Sequence, residues 1–322
     1  MREAVPEKRG LGLDQAQRVV AQSPLAANAQ VERASSLITT IRKKLREGTL
    51  NMPLAPKVVL DLQRIMADPD QEMRHVVKVV EKDQELALRI LHLSNSVTHA
   101  GRRPNRGLPD ALVRVGLKAA YGLAVKVVTE RFQSGIKDAR LRILADRLWH
   151  RTCAVASAAR IIAKKAKQQE PEDYYALSLL TEIGEPFLIR VMEDTLAGQL
   201  KRPTPAQIRA EIAKYHSSFG AVLLKRWGMD EETVLLTKMH HAPTKLRDLF
   251  QRNRALGRQL YLLNLAHHAV ELTELYKGDV DKAYAPPDEA RARLQMTPGD
   301  LHHCVQQLKK EIEEDAETDL AG

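Results

Sequence analysis

Histidine is the residue type through which this chain could do chemistry at neutral pH, because imidazole both titrates there and ligates metals. Eleven occur. His240 and His241 are adjacent, His216 lies in a helical stretch upstream, and His267 falls on the stripe Leu256/Leu260/Leu263/His267/Val270. Neighbours on a helix are rotated by about 100°. His240 and His241 are therefore expected to diverge, one buried and hydrogen-bonded, the other facing solvent. His267 reads as a satisfied core histidine, and His302-His303 as surface residues. Glu182 could act as a general base only if it faces a pocket, and a carboxylate on a helix surface is the commoner case.

Other chemistries lack their residues. No G-x-S-x-G, Walker A, G-x-G-x-x-G or H-E-x-x-H motif is present. Two cysteines, Cys153 and Cys304, exclude a disulfide framework and a thiolate zinc site. Cys153 is expected to be buried and inert. Aromatic residues are 4% of the chain, too few for a base-stacking platform. The net charge of +9 is spread: +4 over 1–48, +4 over 49–135, +4 over 136–243 and −3 over 244–322. A nucleic-acid surface concentrates its charge in one stripe, so nucleic acid is not expected as a partner. Arg102, Arg103 and Arg106 in a Gly/Pro-bounded loop, and Lys245, Arg247, Arg252, Arg254 and Arg258 after the His-His pair, are the candidate anion- or partner-binding groups. Lys164, Lys165 and Lys167 read as helix-end cations. No apolar run approaches the ~20 residues of a membrane span. Met1 to Gly10 lacks the apolar core of a signal peptide, so the expected location is cytoplasmic.

The elements that must position these residues are helical. Val58/Leu62/Ile65, Leu86/Ile90/Leu93/Val97, Leu148/Thr152/Val155/Ala159/Ile162 and Phe219/Leu223/Trp227 all step by three or four. No alternating strand or Asn-Gly hairpin signal competes. Asp68-Pro69-Asp70-Gln71, Thr204-Pro205-Ala206-Gln207 and Thr297-Pro298-Gly299-Asp300 read as helix starts, and Gly48 as a helix end. The stripe Leu86/Ile90/Leu93/Val97 is expected to be buried between two lobes. The division expected is an arm and amphipathic helix over 1–48, a first helical lobe over 49–135, a second over 136–272, and a linker with a C-terminal helix and acidic tail over 273–322.

The order of several segments resembles the HDOD domain, a non-catalytic relative of the HD phosphohydrolases found in bacterial signalling proteins. The segments are Asp83 to Ser96 (DQELALRILHLSNS), Leu108 to Leu117, Leu148 to Thr152, Ala176 to Gly184, Glu211 to Trp227 and His240-His241-Ala242-Pro243. The resemblance spans roughly residues 49–270. It implies an all-α fold of two helical lobes, HD-like, with an N-terminal helix and a C-terminal helical extension. It also implies a pocket built from Arg151, Thr181, Glu182, His216, His240, His241 and His267. An active HD site needs a His-Asp pair, where this chain has Thr181-Glu182, and a first histidine ligand, where it has Arg151. His150 is one residue off and points elsewhere. A permanent cation and an imidazole in place of ligand groups disfavour a dication, so the site is expected to be degenerate, with no metal, no cofactor and no catalysis. The function implied is regulatory or scaffolding, through a protein partner. The alternative is a binder of a nucleotide or nucleotide-derived second messenger in the remnant pocket, and a residual metal-dependent phosphohydrolase ranks third.

Overall fold

Apolar side chains that recur every three or four residues can be buried together only on a helix. Accordingly, every regular element among the described residues of the computed structural model is helical. The structure describes residues 37–68, 70, 72–95, 107–199, 202–276, 284 and 286–321. Arg102, Arg103, Arg106, Val97 and the arm over residues 1–30 lie outside them.

Residues 37–46 are helical and end at Gly48, whose φ of +69° is the left-handed conformation glycine adopts without strain. Five helices follow: α1 (Lys57–Ala67), α2 (Met73–Val80), α3 (Gln84–Asn95), α4 (Leu108–Val115) and α5 (Leu117–Ser134). Next come α6 (Ala139–Lys165), α7 (Pro171–Thr181), α8 (Gly184–Leu196), α9 (Pro205–Trp227), α10 (Glu231–Met239), α11 (Pro243–Arg252) and α12 (Arg254–Leu272). The extension carries α13 (Pro287–Arg293) and α14 (Pro298–Ala321).

Thr204 makes the expected capping box with Gln207 at the start of α9. Thr297 and Asp300 exchange equivalent bonds at the start of α14. Asp68 does not start a helix but ends α1 as its C-cap. Its carboxylate accepts from the Asp70 amide, an Asx turn, and α2 begins only at Met73.

The buried stripe of α3 is Leu86, Ile90 and Ser94, and Leu93 is half-buried. This departs from the expectation in a second way: α3 packs against α4 and α5, inside the first half of the chain rather than between lobes. The i, i+4, i+8 row wins because α3 is short and meets its neighbours along one edge. Ile90→Ala is expected to destabilise by about 2–5 kcal/mol, and Leu93→Ala by less. Equal losses in urea denaturation would show that this placement of α3 is wrong.

Two apolar clusters form the core. One runs from Leu37 to Met229, and the other joins the second half of α6 to α12, α13 and α14. α6 contributes to both. The early helices are tied to α9 and α10 by Trp227 Nε1 donating to the Pro53 carbonyl at 3.0 Å and by Gln63 donating to Asp230 at 2.9 Å.

The extension docks through Glu289, which accepts from Arg247 at 2.6 Å and from the Tyr261 hydroxyl at 2.6 Å. The Arg247 hydrogen bond foremost, with Tyr261 assisting, lowers the Glu289 carboxyl from 4.5 to about 2. A depressed folded-state value stabilises above the unfolded one. Docking is therefore expected to be intact above pH ~4.5 and to weaken as pH falls toward about 2. Hydrogen exchange in α13 that is flat across that window would contradict this.

Candidate functional site

α7 ends at Thr181, and the next residue, Glu182, leaves the helix with its side chain fully buried. Two residues on, α8 starts at Gly184. A Cβ on Gly184 would collide with the His216 carbonyl oxygen and crowd the Gly220 amide. Its absence lets α8 close on α9, which sets Glu182 beside His216.

Four imidazoles surround the Glu182 carboxylate. His240 Nε2 lies 2.9 Å from Oε1, His267 Nε2 3.3 Å and His241 Nε2 3.5 Å, while His216 Nε2 is 3.7 Å from Oε2. His216 Nε2 and His240 Nε2 are 3.2 Å apart. Backbone carbonyls set the tautomers. His216 Nδ1 faces the Ile212 and Ala213 carbonyls at 3.0 and 3.1 Å, and His240 Nδ1 faces the Thr237 carbonyl at 2.6 Å. A carbonyl only accepts, so both Nδ1 atoms donate and both Nε2 atoms turn inward. His267 is oriented oppositely. Arg151 Nη2, which only donates, lies 3.2 Å from His267 Nδ1, so His267 directs Nε2–H toward Glu182.

The expectation that His240 and His241 diverge is overturned. α10 ends at Met239, so the pair lies in a turn, where the rotation of a helix does not apply. Their ring centroids are 3.9 Å apart and both face Glu182. One ligand atom from each of Glu182, His216, His240 and His241 lies within 4.8 Å of the others. Three imidazole nitrogens and one carboxylate oxygen form a donor set that suits a single ion of the zinc or iron class. Imidazoles pinned through Nδ1–H to carbonyls are the usual support of such ligands. Thr181 donates its hydroxyl to the Ser178 carbonyl at 2.9 Å, and Arg151 brings a positive charge.

Arg151 is 1% exposed. Burial works against its charge, but Tyr284, Glu182 and Glu185 outweigh it and hold the guanidinium above its ordinary value. The Tyr284 hydroxyl accepts from Arg151 Nη2 at 2.9 Å, and its ring stacks on His267 at 4.8 Å and lies 5.0 Å from His241. The space beside Glu182, lined by Gln133, Trp149, Thr152 and Glu185, is filled by those side chains and leaves no room for a water molecule. Small-molecule sites commonly enclose about 300–1,000 Å³, so no preformed ligand cavity adjoins the carboxylate.

His150 is exposed, as are His302 and His303. Of the basic run, Arg247 is engaged by Glu289, Arg252 and Arg254 are exposed, Arg258 is half-buried, and the Lys245 side chain lies outside the described residues. Cys153 is half-buried rather than buried, and burial pushes the Cys304 thiol up to about 11. Sequence reasoning missed Tyr284 and Glu185. The available signals were a second tyrosine, after Tyr276, in the polar stretch 273–290 and an acid three residues after Glu182.

The family model for the HDOD domain matches residues 52–243, more than half of the chain. A curated relative, an uncharacterized protein of Treponema pallidum, is 24% identical over 231 residues, which are 70% of this chain and 44% of the relative. The chain thus spans about half the length of that relative. Three crystal structures share the fold. A candidate metal-dependent phosphohydrolase of Shewanella amazonensis is 20% identical with a TM-score of 0.59, over 86% of this chain and 99% of its own. An HDOD protein of unknown function from Geobacter sulfurreducens is 21% identical with a TM-score of 0.53, over 92% and 96%. A candidate signal transduction protein of Marinobacter aquaeolei is 18% identical with a TM-score of 0.58, over 88% and 64%. Among the described residues no helix is long and apolar enough to cross a membrane.

Proposed function

The chain belongs to the HDOD family, and on that premise we propose that it is a regulatory protein of bacterial signal transduction that acts by binding other proteins and turns over no phosphoester. One observation carries the reading. Arg151, a permanent cation, is buried in the pocket and bonded to His267, where a hydrolytic centre needs a further metal ligand. The histidine set can then serve one ion at most. Two-metal phosphohydrolysis needs a second ion to share the charge of the attacking and leaving oxygens. The lobes over 49–135 and 136–272 are the units we assign to partner docking. Exposed Arg252 and Arg254 are candidate contacts for an acidic protein surface.

The test is direct. Purified protein with zinc, iron(II) or manganese(II) is expected to leave bis(4-nitrophenyl) phosphate unhydrolysed above the rate of metal alone. Hydrolysis that disappears in Glu182→Gln would overturn the reading. For partner binding, neutralising Arg252 and Arg254 is expected mainly to slow association and to change its salt dependence, as rim charges do. Submicromolar binding of generic duplex DNA at physiological salt, lost in the same variant, would assign the surface to nucleic acid instead.

A further inference from the structure

Arg151 presents a physical problem that the proposed function does not resolve. Its guanidinium is buried, yet Nε and Nη1 have no hydrogen-bond acceptor among the described residues, and Glu182 and Glu185 act on it through charge. Only Nη2 is used, and its partners, the Tyr284 hydroxyl and His267 Nδ1, are both neutral acceptors. A buried cation with orphan donors is unfavourable unless a partner completes it. The acceptor that matches the planar fork of arginine is an oxyanion, bound through two parallel N–H···O bonds.

Tyr284 shows where such a ligand would come from. It belongs to the stretch between α12 and α13, not to the helices that build the pocket. It lies against His267 and His241 and places one oxygen on the guanidinium. A phenol oxygen supplies one acceptor where a phosphate supplies several. Glu182 and Glu185 add negative charge nearby, which selects against a dianion and favours a singly charged group. We propose that Arg151 is the binding site for a singly charged phosphodiester group, and that Tyr284 is an internal occupant which the ligand displaces. This deepens the regulatory reading, since ligand occupancy would be coupled to the docking of the C-terminal extension.

The experiment uses the full chain labelled with 15N-arginine and titrated with dimethyl phosphate, with inorganic phosphate and sodium sulfate at matched ionic strength as comparisons. Tyr284→Ala is expected to bind dimethyl phosphate saturably, about tenfold or more tighter than wild type, because the cost of displacing the tyrosine is gone. The Arg151 Nε–H signal is expected to shift along the same curve, a readout in a folded variant that does not depend on deleting the arginine. Arg151→Met is expected to remove the binding. Absence of saturable binding in Tyr284→Ala, a stationary Arg151 Nε–H signal, or binding that survives Arg151→Met would each overturn the proposal. Tighter binding of the inorganic dianion than of the diester would overturn its selectivity. Hydrolysis of a diester is scored separately on the same samples: it would end the non-catalytic reading, whereas absent binding would end only this one.

Discussion

Zinc added to metal-stripped protein is expected to bind at one equivalent and no more, and to raise the melting temperature. Both pinned Nε2 atoms and the Glu182 carboxylate present lone pairs to one another at 2.9–3.7 Å. Converging acceptors need a proton or a cation between them, and His241 adds a further nitrogen. An ion that binds only the folded state stabilises it by about 2.7 kcal/mol when its free concentration is 100 times Kd. Glu182→Gln keeps the side chain's volume and removes the anionic ligand. Losing even a supporting partner of a metal site costs about 10–100-fold in affinity, so this change is expected to cost at least that. A second equivalent bound with comparable affinity would contradict the single-ion reading and revive the hydrolase. An unchanged zinc isotherm in Glu182→Gln would place the ion elsewhere.

Among the glycines of the described residues, Gly184→Ala is expected to be the most damaging change. The added Cβ meets the His216 carbonyl oxygen and the Gly220 amide, both backbone atoms inside helix packing, so no side chain can swing away to make room. Overpacking costs typically 1–3 kcal/mol, and here α8 must move bodily off α9, so about 3 kcal/mol or more is expected. The same movement separates Glu182 from His216, so the zinc response should fall with stability. Gly198→Ala is the control: its φ of +75° is strained for alanine, but nothing lies within 4 Å of the added atom. It should cost only about 1–2 kcal/mol of left-handed strain. Equal losses for the two variants in urea denaturation would show that close helix approach is not what Gly184 provides.

Much of this protein was legible from residue order alone. Helical spacing predicted an all-α chain, Thr204 and Thr297 marked true helix starts, Gly48 a true end, and the segments from Asp83 to Pro243 pointed to the family. These are local properties: periodicity and capping act within one or two turns, so neighbours in sequence suffice to read them. Arg151, Thr181, Glu182, His216, His240, His241 and His267 were also nameable one by one, whereas Tyr284 and Glu185 were not.

What they do together was not legible, because it depends on contacts between segments 24 to 116 residues apart. The fate of His240-His241 turned on whether α10 stopped at Met239 or ran two residues further, a boundary set by packing against Glu182 and Asn264 rather than by propensity. Ser94 took the core position expected of Leu93 because the neighbours of α3 chose the face. Tyr284 carried no periodic signal and entered the pocket only because α13 and α14 dock on α6 and α12. Spacing determines which side chains share a stripe. Only the packed tertiary structure decides which stripes meet, and hence which histidines turn their lone pairs toward one carboxylate and which cation is buried among them.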